Sequence, residues 1–347
     1  MLNASGEHLL LMRDHEQNRT VWPRVTIVTP SYNQRAFLEE TLCSVLSQGY
    51  PNLEYFVIDG GSSDGSVELI KKYERHIAYW ISEKDRGQSH AINKGFRRSS
   101  GAILGWLNSD DVMKPGALFA IADALRSHAE PAWLIGASEL IDERSRPLRI
   151  QRVSRIDEAF FFAWSDDVWI PQQSTFWNRV MWEQVGPVRE DLTYAMDVAL
   201  WLKMFELASP LLIPHVLSGY RFHGDCKTMS HLLDSRREVI ALLQAYRRRH
   251  ADFRNAGKAL EASQSDEILQ WAYRSYYARQ NRQARACLAY AARLFPRHLF
   301  RKKWLFLAWQ LTVGSMFGDA CGNYLREAAR HLRGETINVE ESGRIMK

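Results

Sequence analysis

The stretch from Ser82 to Asp111 constrains the fold of this chain more than any other. It reads SEKDRGQSHAINKGFRRSSGAILGWLNSDD, in which a turn rich in Asp, Arg and Gly precedes a predicted helix, Gln88 to Arg98. A buried apolar strand, Ala102 to Leu107, is then followed by two adjacent carboxylates, Asp110 and Asp111. Open α/β sheets bind ligands at the carboxyl ends of their strands. A hard cation binds one or two protein carboxylates and takes phosphate oxygens and water as its other ligands. The stretch therefore predicts an α/β protein with a divalent metal at a strand end.

Strand and helix patterns alternate along the first third of the chain. Apolar runs at Val25–Thr29, Tyr55–Ile58 and Tyr79–Ser82 precede that strand, and segments of helical periodicity lie between them. Pro115 is predicted to open a further helix. This alternation predicts a parallel, Rossmann-like α/β sheet. A NAD-binding enzyme is disfavoured because the first strand leads into PSYNQRAF, which lacks a GxGxxG phosphate loop.

Two further motifs, VTIVTPSYNQ and VIDGGSSDGS, precede this stretch. With the paired aspartates and the later YAMDVALWLKM, they resemble in their order the motifs of inverting family-2 glycosyltransferases of the GT-A fold, of the bacterial surface-polysaccharide type. The resemblance covers residues 24–230. It implies an N-terminal arm over residues 1–23, a GT-A catalytic domain over 24–228 and a helical C-terminal extension over 229–347.

The resemblance assigns the loops after the first strands to the nucleotide of a sugar donor. The residues that it implies there are Pro30, Tyr32, Asn33, Asp59, Asp85, Arg86 and Gly87. Asp59 would accept a hydrogen bond from the ring N–H of uracil, which predicts a UDP-linked sugar. The segment Asp85–Gly87 precedes a helix N-terminus, where anions bind favourably, and would contact the nucleotide and its diphosphate. Asx turns and solvated loops are the structural alternatives.

The adjacent carboxylates occupy the place of the family's metal-binding aspartate motif, although Asn108 stands where that motif usually begins with Asp. We assign Asp111 to the metal and Asp110 to the ribose or the metal, and these roles can be exchanged. His223, in YRFHGDCKT, is a candidate third metal ligand, and Lys227 is a candidate partner of the diphosphate. The predicted cofactor is Mn²⁺ or Mg²⁺. A turn or a helix cap is the alternative for the aspartates.

An inverting transfer needs a carboxylate base within hydrogen-bond reach of the acceptor hydroxyl. By resemblance this base is Asp197, which opens an apolar helix, although Met196 stands where the family commonly has an acidic residue. A helix cap is the alternative for Asp197. The next carboxylates in line for the role are Asp166, Asp167 and Asp191.

The acceptor is predicted to be a hydroxyl of a glycan or of a lipid-linked glycan. Gln173 and Trp177 are candidates for the wall of its site. The Gln-x-x-Arg-Trp signature of processive polysaccharide synthases is absent from the sequence. We therefore expect one or a few sugars to be added in each encounter.

Positive charge is concentrated in the C-terminal part of the chain. Residues 226–347 hold 22 Lys and Arg against 11 Asp and Glu. There, the basic segment Arg301–Lys303 precedes an uncharged run, Trp304 to Gly318, which is shorter than the roughly 20 residues that span a bilayer. Its make-up is that of an interfacial helix, which predicts peripheral contact with an anionic membrane. A core helix is the alternative.

The remaining features favour a cytoplasmic enzyme. The four cysteines show no zinc-binding spacing, which indicates a reducing compartment, and the N-terminus lacks the apolar run of a signal peptide. A catalytically inactive GT-A module that binds glycan or acts as a scaffold is the alternative, and the presence of both Asp111 and Asp197 favours the enzyme. Nucleic-acid binding is not expected, because no zinc-finger or RNA-recognition signature accompanies the basic charge.

Overall fold

The computed structural model describes residues 21–157, 160–161, 169–224, 227, 231–250, 257–277 and 280–316. The chain divides after Tyr246 into two compact units, so the first unit extends beyond the predicted boundary at residue 228. Residues 1–20 of the predicted arm, and the alternative bases Asp166 and Asp167, lie outside the described residues.

The described part of the first unit is built from strands and helices that alternate over its first half. Its strands are β1 (Val25–Ser31), β2 (Leu53–Asp59), β3 (Tyr79–Ser82), β4 (Ile103–Trp106), β5 (Val112–Met113), β6 (Trp133–Ile141), β7 (Pro147–Gln151), β8 (Thr175–Asn178) and β9 (Leu211–Arg221). Its helices are α1 (Arg35–Leu46), α2 (Ser66–Tyr73), α3 (Gln88–Arg98), α4 (Ala117–Leu125), α5 (Arg179–Val185), α6 (Met196–Leu207) and α7 (Leu232–Arg249).

These strands form one mixed sheet in the order β3-β2-β1-β4-β8-β6-β9-β5, with β7 paired to β6. The four strands from β3 to β4 are mutually parallel, and β8 pairs antiparallel with both β4 and β6. Every residue of β1 is buried, because helices cover both faces of a parallel sheet. The parallel α/β sheet predicted from the sequence is thereby confirmed.

One glycine allows helix α3 to approach the central strand closely. A Cβ atom added at Gly95 would lie 2.6 Å from a methyl carbon of Val28 in β1, closer than non-bonded carbons can come. The close packing sets the position of the N-terminus of α3, which faces the candidate site. The sequence itself indicates this close packing. A glycine inside a helix, as in the GFRR segment at the end of α3, costs stability unless the packing requires it.

The helix predicted to open at Pro115 begins two residues later, at Ala117. Gly116 precedes it with a φ of 75°, a left-handed conformation that cannot continue an α-helix. Pro115 therefore belongs to the turn before α4, and that detail of the sequence prediction is wrong.

The second unit is helical where it is described. It contains α8 (Gly257–Tyr277), α9 (Asn281–Leu294) and α10 (Lys302–Met316), with a 3₁₀ turn at Pro296–Phe300. Helices α8 and α9 pack along each other, and α10 packs against α9. No described helix is long and apolar enough to cross a membrane.

Candidate functional site

The candidate site lies at the carboxyl edge of the parallel strands. β2 and β3 extend the sheet on one side of β1, whereas β4 lies on the other side. A crevice forms where the strand order reverses in this way. Asp59 is the last residue of β2, and the loops that leave β1 and β4 at this edge carry Tyr32 and Asp110, respectively.

Asp59 holds the loop that follows β2. Its side chain is fully buried. Oδ2 accepts hydrogen bonds from the backbone N–H groups of Gly61 (3.0 Å) and Ser62 (2.9 Å) and from the Ser82 hydroxyl (2.6 Å), and Oδ1 accepts from the Ser62 hydroxyl (2.5 Å). This is the Asx turn that the sequence left open as an alternative. Because both oxygens are engaged, the geometry argues against the predicted contact between Asp59 and a uracil ring.

Asp85 has one carboxylate oxygen that lacks a partner. Its Oδ1 lies 2.8 Å from Nδ1 of His90 and 2.5 Å from Nζ of Lys94. Its Oδ2 is buried and has no hydrogen-bond partner in the described part of the protein. A Cβ atom at Gly60 would lie 3.6 Å from this oxygen and 3.3 Å from the ring of Tyr32. The space between Asp85 and Tyr32 therefore depends on the absence of a side chain at position 60, and a ligand with an N–H group there would satisfy the orphaned acceptor.

The segment Pro30–Asn33 carries an exposed aromatic ring on a rigid loop. The side chain of Tyr32 is 63% exposed, whereas Pro30 is buried within β1. Asn33 adopts a left-handed conformation with a φ of 52°. Its backbone N–H donates to the hydroxyl of Ser62 at 2.8 Å, and its Oδ1 accepts from the backbone N–H of Ser63 at 2.9 Å. Tyr32 can therefore stack on a planar ligand, while Pro30 and Asn33 shape the loop.

Helix α3 points its N-terminus toward this edge of the sheet. Gly87 precedes the helix with a φ of 127°, and a Cβ atom there would meet no other atom within 4 Å. The N-terminal end of a helix carries a partial positive charge that favours phosphate groups. The exposed guanidinium of Arg86 donates to the carboxylate of Glu190 at 2.6 Å, which links this turn to the loop before α6.

Gln88 connects two of the predicted motifs. Its side-chain amide donates to Oδ1 of Asn108 at 2.8 Å and accepts from Nζ of Lys227 at 3.3 Å. The ammonium of Lys227 also lies 5.5 Å from the ring centre of Tyr194. Lys227 and the N-terminus of α3 are thus neighbours, which is the arrangement predicted for a diphosphate site.

Asp111 is a buried structural carboxylate. Its Oδ1 accepts from the backbone N–H of Arg221 at 2.9 Å, and its Oδ2 accepts from the amide of Asn108 at 3.3 Å. Burial and the neighbouring charge of Asp110 raise the pKa of Asp111 well above its usual range. The fully buried guanidinium of Arg221 donates to the backbone carbonyl of Asp110 at 2.8 Å and to the carboxylate of Glu40 at 2.6 Å. These contacts argue against the predicted role of Asp111 as the metal ligand.

Asp110 and His223 form the accessible part of the aspartate motif. Oδ2 of Asp110 lies 3.1 Å from Nε2 of His223, whose ring packs 4.7 Å from the ring of Phe37. Among the described residues, no group of three or more His, Cys, Asp and Glu side chains could hold a metal ion. The Asp110 carboxylate fits a hard cation that takes its remaining ligands from a diphosphate and water, and the His223 imidazole would be one further ligand. The mutual repulsion of Asp110 and Asp111 also favours a cation at this place.

Asp197 lies in the first turn of α6 and is partly buried. Burial is the main cause that raises its pKa to about 6, and the positive charge of Lys227 opposes this effect. The preceding residue, Met196, accepts a hydrogen bond on its sulfur from the hydroxyl of Ser89 at 2.7 Å. Ser89 belongs to the first turn of α3. The residue before the candidate base therefore contacts the helix turn that is predicted to bind the diphosphate.

The two predicted acceptor residues lie in the core. Trp177 is fully buried and packs against Trp106, with ring centres 5.6 Å apart. Gln173 is also buried, and its amide donates to the hydroxyl of Ser138 at 2.8 Å. Burial of both side chains argues against their contact with an acceptor.

Comparison with known proteins assigns the chain to a family. The sequence profile described as Glycosyl transferase family 2 matches residues 26–179. An uncharacterized glycosyltransferase of Mycobacterium tuberculosis is 30% identical over 210 residues, which are 58% of this chain and 76% of that protein. This chain belongs to glycosyl transferase family 2. The putative teichuronic acid biosynthesis glycosyltransferase TuaG of Bacillus subtilis is 37% identical over 105 residues, which are 28% of this chain and 41% of TuaG.

Two solved structures share the fold of this glycosyltransferase. S. aureus TarS in complex with UDP-GlcNAc superposes with a TM-score of 0.56 at 14% identity, over 84% of this chain and 91% of that chain. The mannosyltransferase PcManGT from Pyrobaculum calidifontis, in complex with GDP-Man and Mn²⁺, gives a TM-score of 0.52 at 19% identity, over 89% of this chain and 94% of that chain. The GT-A fold predicted from the sequence is confirmed.

Three residues of this glycosyltransferase's site escape prediction from its sequence: Gln88, Arg221 and Glu238. Gln88 directly follows the predicted loop and begins a helix. Its position at the helix N-terminus could therefore have identified it as a residue of the site. Arg221 is the last residue of β9, two residues before His223, and a charged residue in a buried strand requires several partners. Glu238 contacts the N-terminal turn of α6 from helix α7. No local pattern reveals that contact, because more than 40 residues separate the partners.

Proposed function

We propose that this chain is a metal-dependent, inverting glycosyltransferase that moves a hexosyl group from a nucleotide donor to a hydroxyl of a glycan. The observation that carries the proposal is the bond between Ser89 and Met196, which joins the N-terminal turn of α3 to the turn that holds Asp197. An inverting transfer needs a base on the face of the sugar opposite the leaving diphosphate, and this contact fixes the turn of Asp197 relative to the helix terminus proposed to bind the diphosphate.

In this mechanism Asp197 accepts the proton of the acceptor hydroxyl as that oxygen attacks. Its raised pKa, about 6, leaves the carboxylate ionised at neutral pH and still basic enough for proton transfer. Lys227 and the N-terminus of α3 orient the diphosphate and offset its growing negative charge. The acceptor oxygen forms a bond to the anomeric carbon as the bond from that carbon to the diphosphate breaks. This single displacement inverts the configuration of the anomeric carbon.

We assign the metal site to Asp110 and His223, which is the exchange of the roles of Asp110 and Asp111 that the sequence left open. Asp110 is the more accessible carboxylate, and its Oδ2 already faces the imidazole at 3.1 Å. A bound Mn²⁺ or Mg²⁺ would supply charge neutralisation for the leaving diphosphate. The Mn²⁺ in the complex of the Pyrobaculum calidifontis mannosyltransferase supports the use of a divalent metal here.

The donor is proposed to be UDP-linked, with Asp85 in place of Asp59 as the residue that reads the base. The orphaned Oδ2 of Asp85 is a hydrogen-bond acceptor beside the exposed ring of Tyr32, across the space left by Gly60. Uracil offers a ring N–H to such an acceptor, whereas cytosine offers a bare ring nitrogen there. UDP-GlcNAc in the TarS complex supports a uridine donor, and GDP-Man in the mannosyltransferase complex makes guanine the alternative.

Donor screening tests this function directly. The full chain is incubated with Mn²⁺, candidate UDP- and GDP-sugars and glycan acceptors, and the free nucleotide that is released is measured. The configuration of the new linkage is then read by NMR. Turnover that depends on the acceptor, with inversion at the anomeric carbon, is expected. Retention of configuration, or full turnover in excess EDTA, contradicts the proposal.

The proposed acceptor is a surface glycan, lipid-linked or free, and the proposed location is the cytoplasm with peripheral contact to the membrane. Teichuronic acid biosynthesis, named for the B. subtilis relative TuaG, supports a surface polymer. The membrane contact is assigned to an exposed face of α10 with its preceding turn. Four apolar side chains of this face are exposed by 38–80%: Phe300, Leu305, Phe306 and Trp309.

The opposite face of α10 is a core face. The buried side chains on this face are Trp304, Leu307 and Leu311. One face of α10 therefore packs as a core helix does, whereas the other face is exposed. Residues 280–316 contain seven Arg and Lys and no Asp or Glu. Arg301 forms an ion pair at 3.0 Å with Asp266, which leaves a large net positive charge on the segment. Each basic residue near an anionic surface contributes about 1 kcal/mol of binding free energy.

Vesicle binding tests this contact. The full-length protein is sedimented with phosphatidylglycerol and with phosphatidylcholine vesicles at low and high salt. We expect binding to the anionic vesicles only, weakened by salt and lost in Phe306→Ser/Trp309→Ser. The matched control is Leu148→Ser/Ile150→Ser on β7, which removes two apolar side chains of 58% and 47% exposure. Equal loss in both double variants, or no binding of the wild type, contradicts the contact.

A further inference from the structure

Helix α6, which carries Asp197, has no side-chain cap at its N-cap position, although Oδ1 of Asp197 accepts from the backbone N–H of Val198 at 2.7 Å. The residue at its N-cap position is Ala195, whose side chain cannot accept a hydrogen bond. The first N–H groups of any α-helix lack partners within the helix. A helix that begins in a partly buried place therefore needs an acceptor from elsewhere in the chain.

Glu238 of α7 supplies acceptors for the N-cap residue and for the two residues that precede it. Its Oε1 accepts from the backbone N–H of Thr193 at 2.8 Å, and its Oε2 accepts from those of Tyr194 at 2.5 Å and Ala195 at 2.6 Å. Three backbone N–H groups on one carboxylate fix the direction from which the chain enters α6. Charge-assisted bonds of this kind are shorter and stronger than neutral ones.

We propose that Glu238 is a positioning residue for the transfer reaction, acting through Asp197. The inference rests on the proposed role of Asp197 as the base. The three bonds hold residues 193–195 directly before Met196, whose sulfur contacts Ser89 in the first turn of α3, and Asp197 is the next residue. Glu238 itself touches neither the donor loops nor the aspartate motif in any described contact.

Misplacement of a base by about 1 Å can lower the rate about 100-fold without a change in substrate binding. Removal of Glu238 should therefore act on kcat and leave donor affinity unchanged. Glu238→Ala removes both oxygens, whereas Glu238→Gln keeps one oxygen that can accept. We expect kcat to fall about 10- to 100-fold in Glu238→Ala and less in Glu238→Gln, with the Kd for UDP within about twofold of wild type.

A double-mutant cycle separates positioning from general damage. In an Asp197→Asn background, where the base is already absent, Glu238→Ala should lower kcat no further, because residues that act as a unit are not additive. The matched control is Asp234→Asn, an exposed carboxylate on the same helix that pairs with Arg237 at 3.2 Å. This control should leave kcat near that of the wild type.

The outcomes are distinguishable. If Asp197→Asn keeps most of its kcat, the proposed base is wrong, and the positioning role that acts through it is overturned with it. If Asp197→Asn is impaired but Glu238→Ala has wild-type kcat, the positioning role alone is overturned. An equal, additive loss of kcat in both backgrounds, or a loss of UDP affinity, overturns it as well.

Discussion

The imidazole of His223 lies 3.1 Å from the carboxylate of Asp110, although 113 residues separate them in the chain. The contact joins the end of the last strand of the sheet to the loop after β4. Asp111, one residue away, turns instead into the protein and pairs with the backbone of Arg221. Adjacent aspartates therefore have opposite environments, and their substitutions should have different consequences.

Substitution of Asp110 should abolish metal-dependent activity more completely than substitution of Asp111. Asp110→Asn and His223→Ala each remove a proposed ligand, and we expect kcat to fall about 100-fold or more. Asp111→Asn keeps an acceptor for the Arg221 N–H and removes a charge that burial disfavours, so its kcat should be closer to wild type. Titration of activity with Mn²⁺ for the three variants measures the difference. A greater loss in Asp111→Asn would return the metal to the position predicted from the sequence.

Asp85→Asn should change the nucleotide preference. A carboxylate accepts from the ring N–H of uracil, whereas an amide can also donate to the bare ring nitrogen of cytosine. We expect wild type to bind UDP about tenfold or more tightly than CDP, and Asp85→Asn to lose most of that ratio. Calorimetry with both nucleotides gives the ratio directly.

Asp59→Asn is the control for the proposed recognition of the nucleobase by Asp85. It disturbs the turn after β2 and should weaken UDP and CDP alike. Loss of discrimination in Asp59→Asn, with the ratio intact in Asp85→Asn, would restore Asp59 as the base-reading residue.

The pH dependence of kcat/KM should show the titration of the proposed general base, Asp197. Because the pKa of Asp197 is raised to about 6, the reactive carboxylate form predominates above pH 6 and is lost as the pH falls through that value. In the free enzyme, kcat/KM should therefore be level near neutral pH and fall about tenfold per pH unit well below pH 6. Asp197→Asn should lower kcat about 10²- to 10⁴-fold and abolish this limb. An acid limb centred near about pH 4 would assign the titration to an ordinary exposed carboxyl group.

Trp177 should matter for stability rather than for the acceptor. Removing a fully buried tryptophan leaves a cavity, so Trp177→Ala should lower the free energy of unfolding by about 3–5 kcal/mol. The matched control is Trp309→Ala, whose side chain is 50% exposed and whose loss should cost little. Trp177→Phe should retain the wild-type acceptor KM. Chemical denaturation and acceptor kinetics together check this prediction, and a raised acceptor KM in a stable Trp177→Phe variant would contradict it.

Short-range patterns account for what the sequence predicts correctly. The order of strands and helices from Val25 to Trp106 follows from apolar runs of the right length and from glycine and proline between them. The place of the site follows from the rule that parallel sheets bind ligands at their carboxyl edge. These inferences depend only on residues that are close together in the sequence. The fold of the structure agrees with the fold that they predict.

The finer assignments depend on which way a side chain turns, and that depends on distant partners. Asp59 and Asp111 both occupy motif positions, but serines and the Arg221 backbone engage their oxygens within the protein. Trp177 is predicted to form an aromatic wall, because the sequence does not reveal that Trp106 of β4, Phe96 of α3 and Trp182 of α5 pack around it. At Gly60 the absence of a side chain matters instead, because it leaves the space next to Asp85 open.

The division of the chain after Tyr246 has a practical meaning for protein engineering. A chimera that replaces the C-terminal helices of this chain from residue 228 onward removes the carboxylate of Glu238, which binds the three N–H groups before α6. A junction placed after α7 keeps that carboxylate with its three N–H donors. In this chain, therefore, α7 should be kept together with the catalytic domain when the C-terminal helices are exchanged.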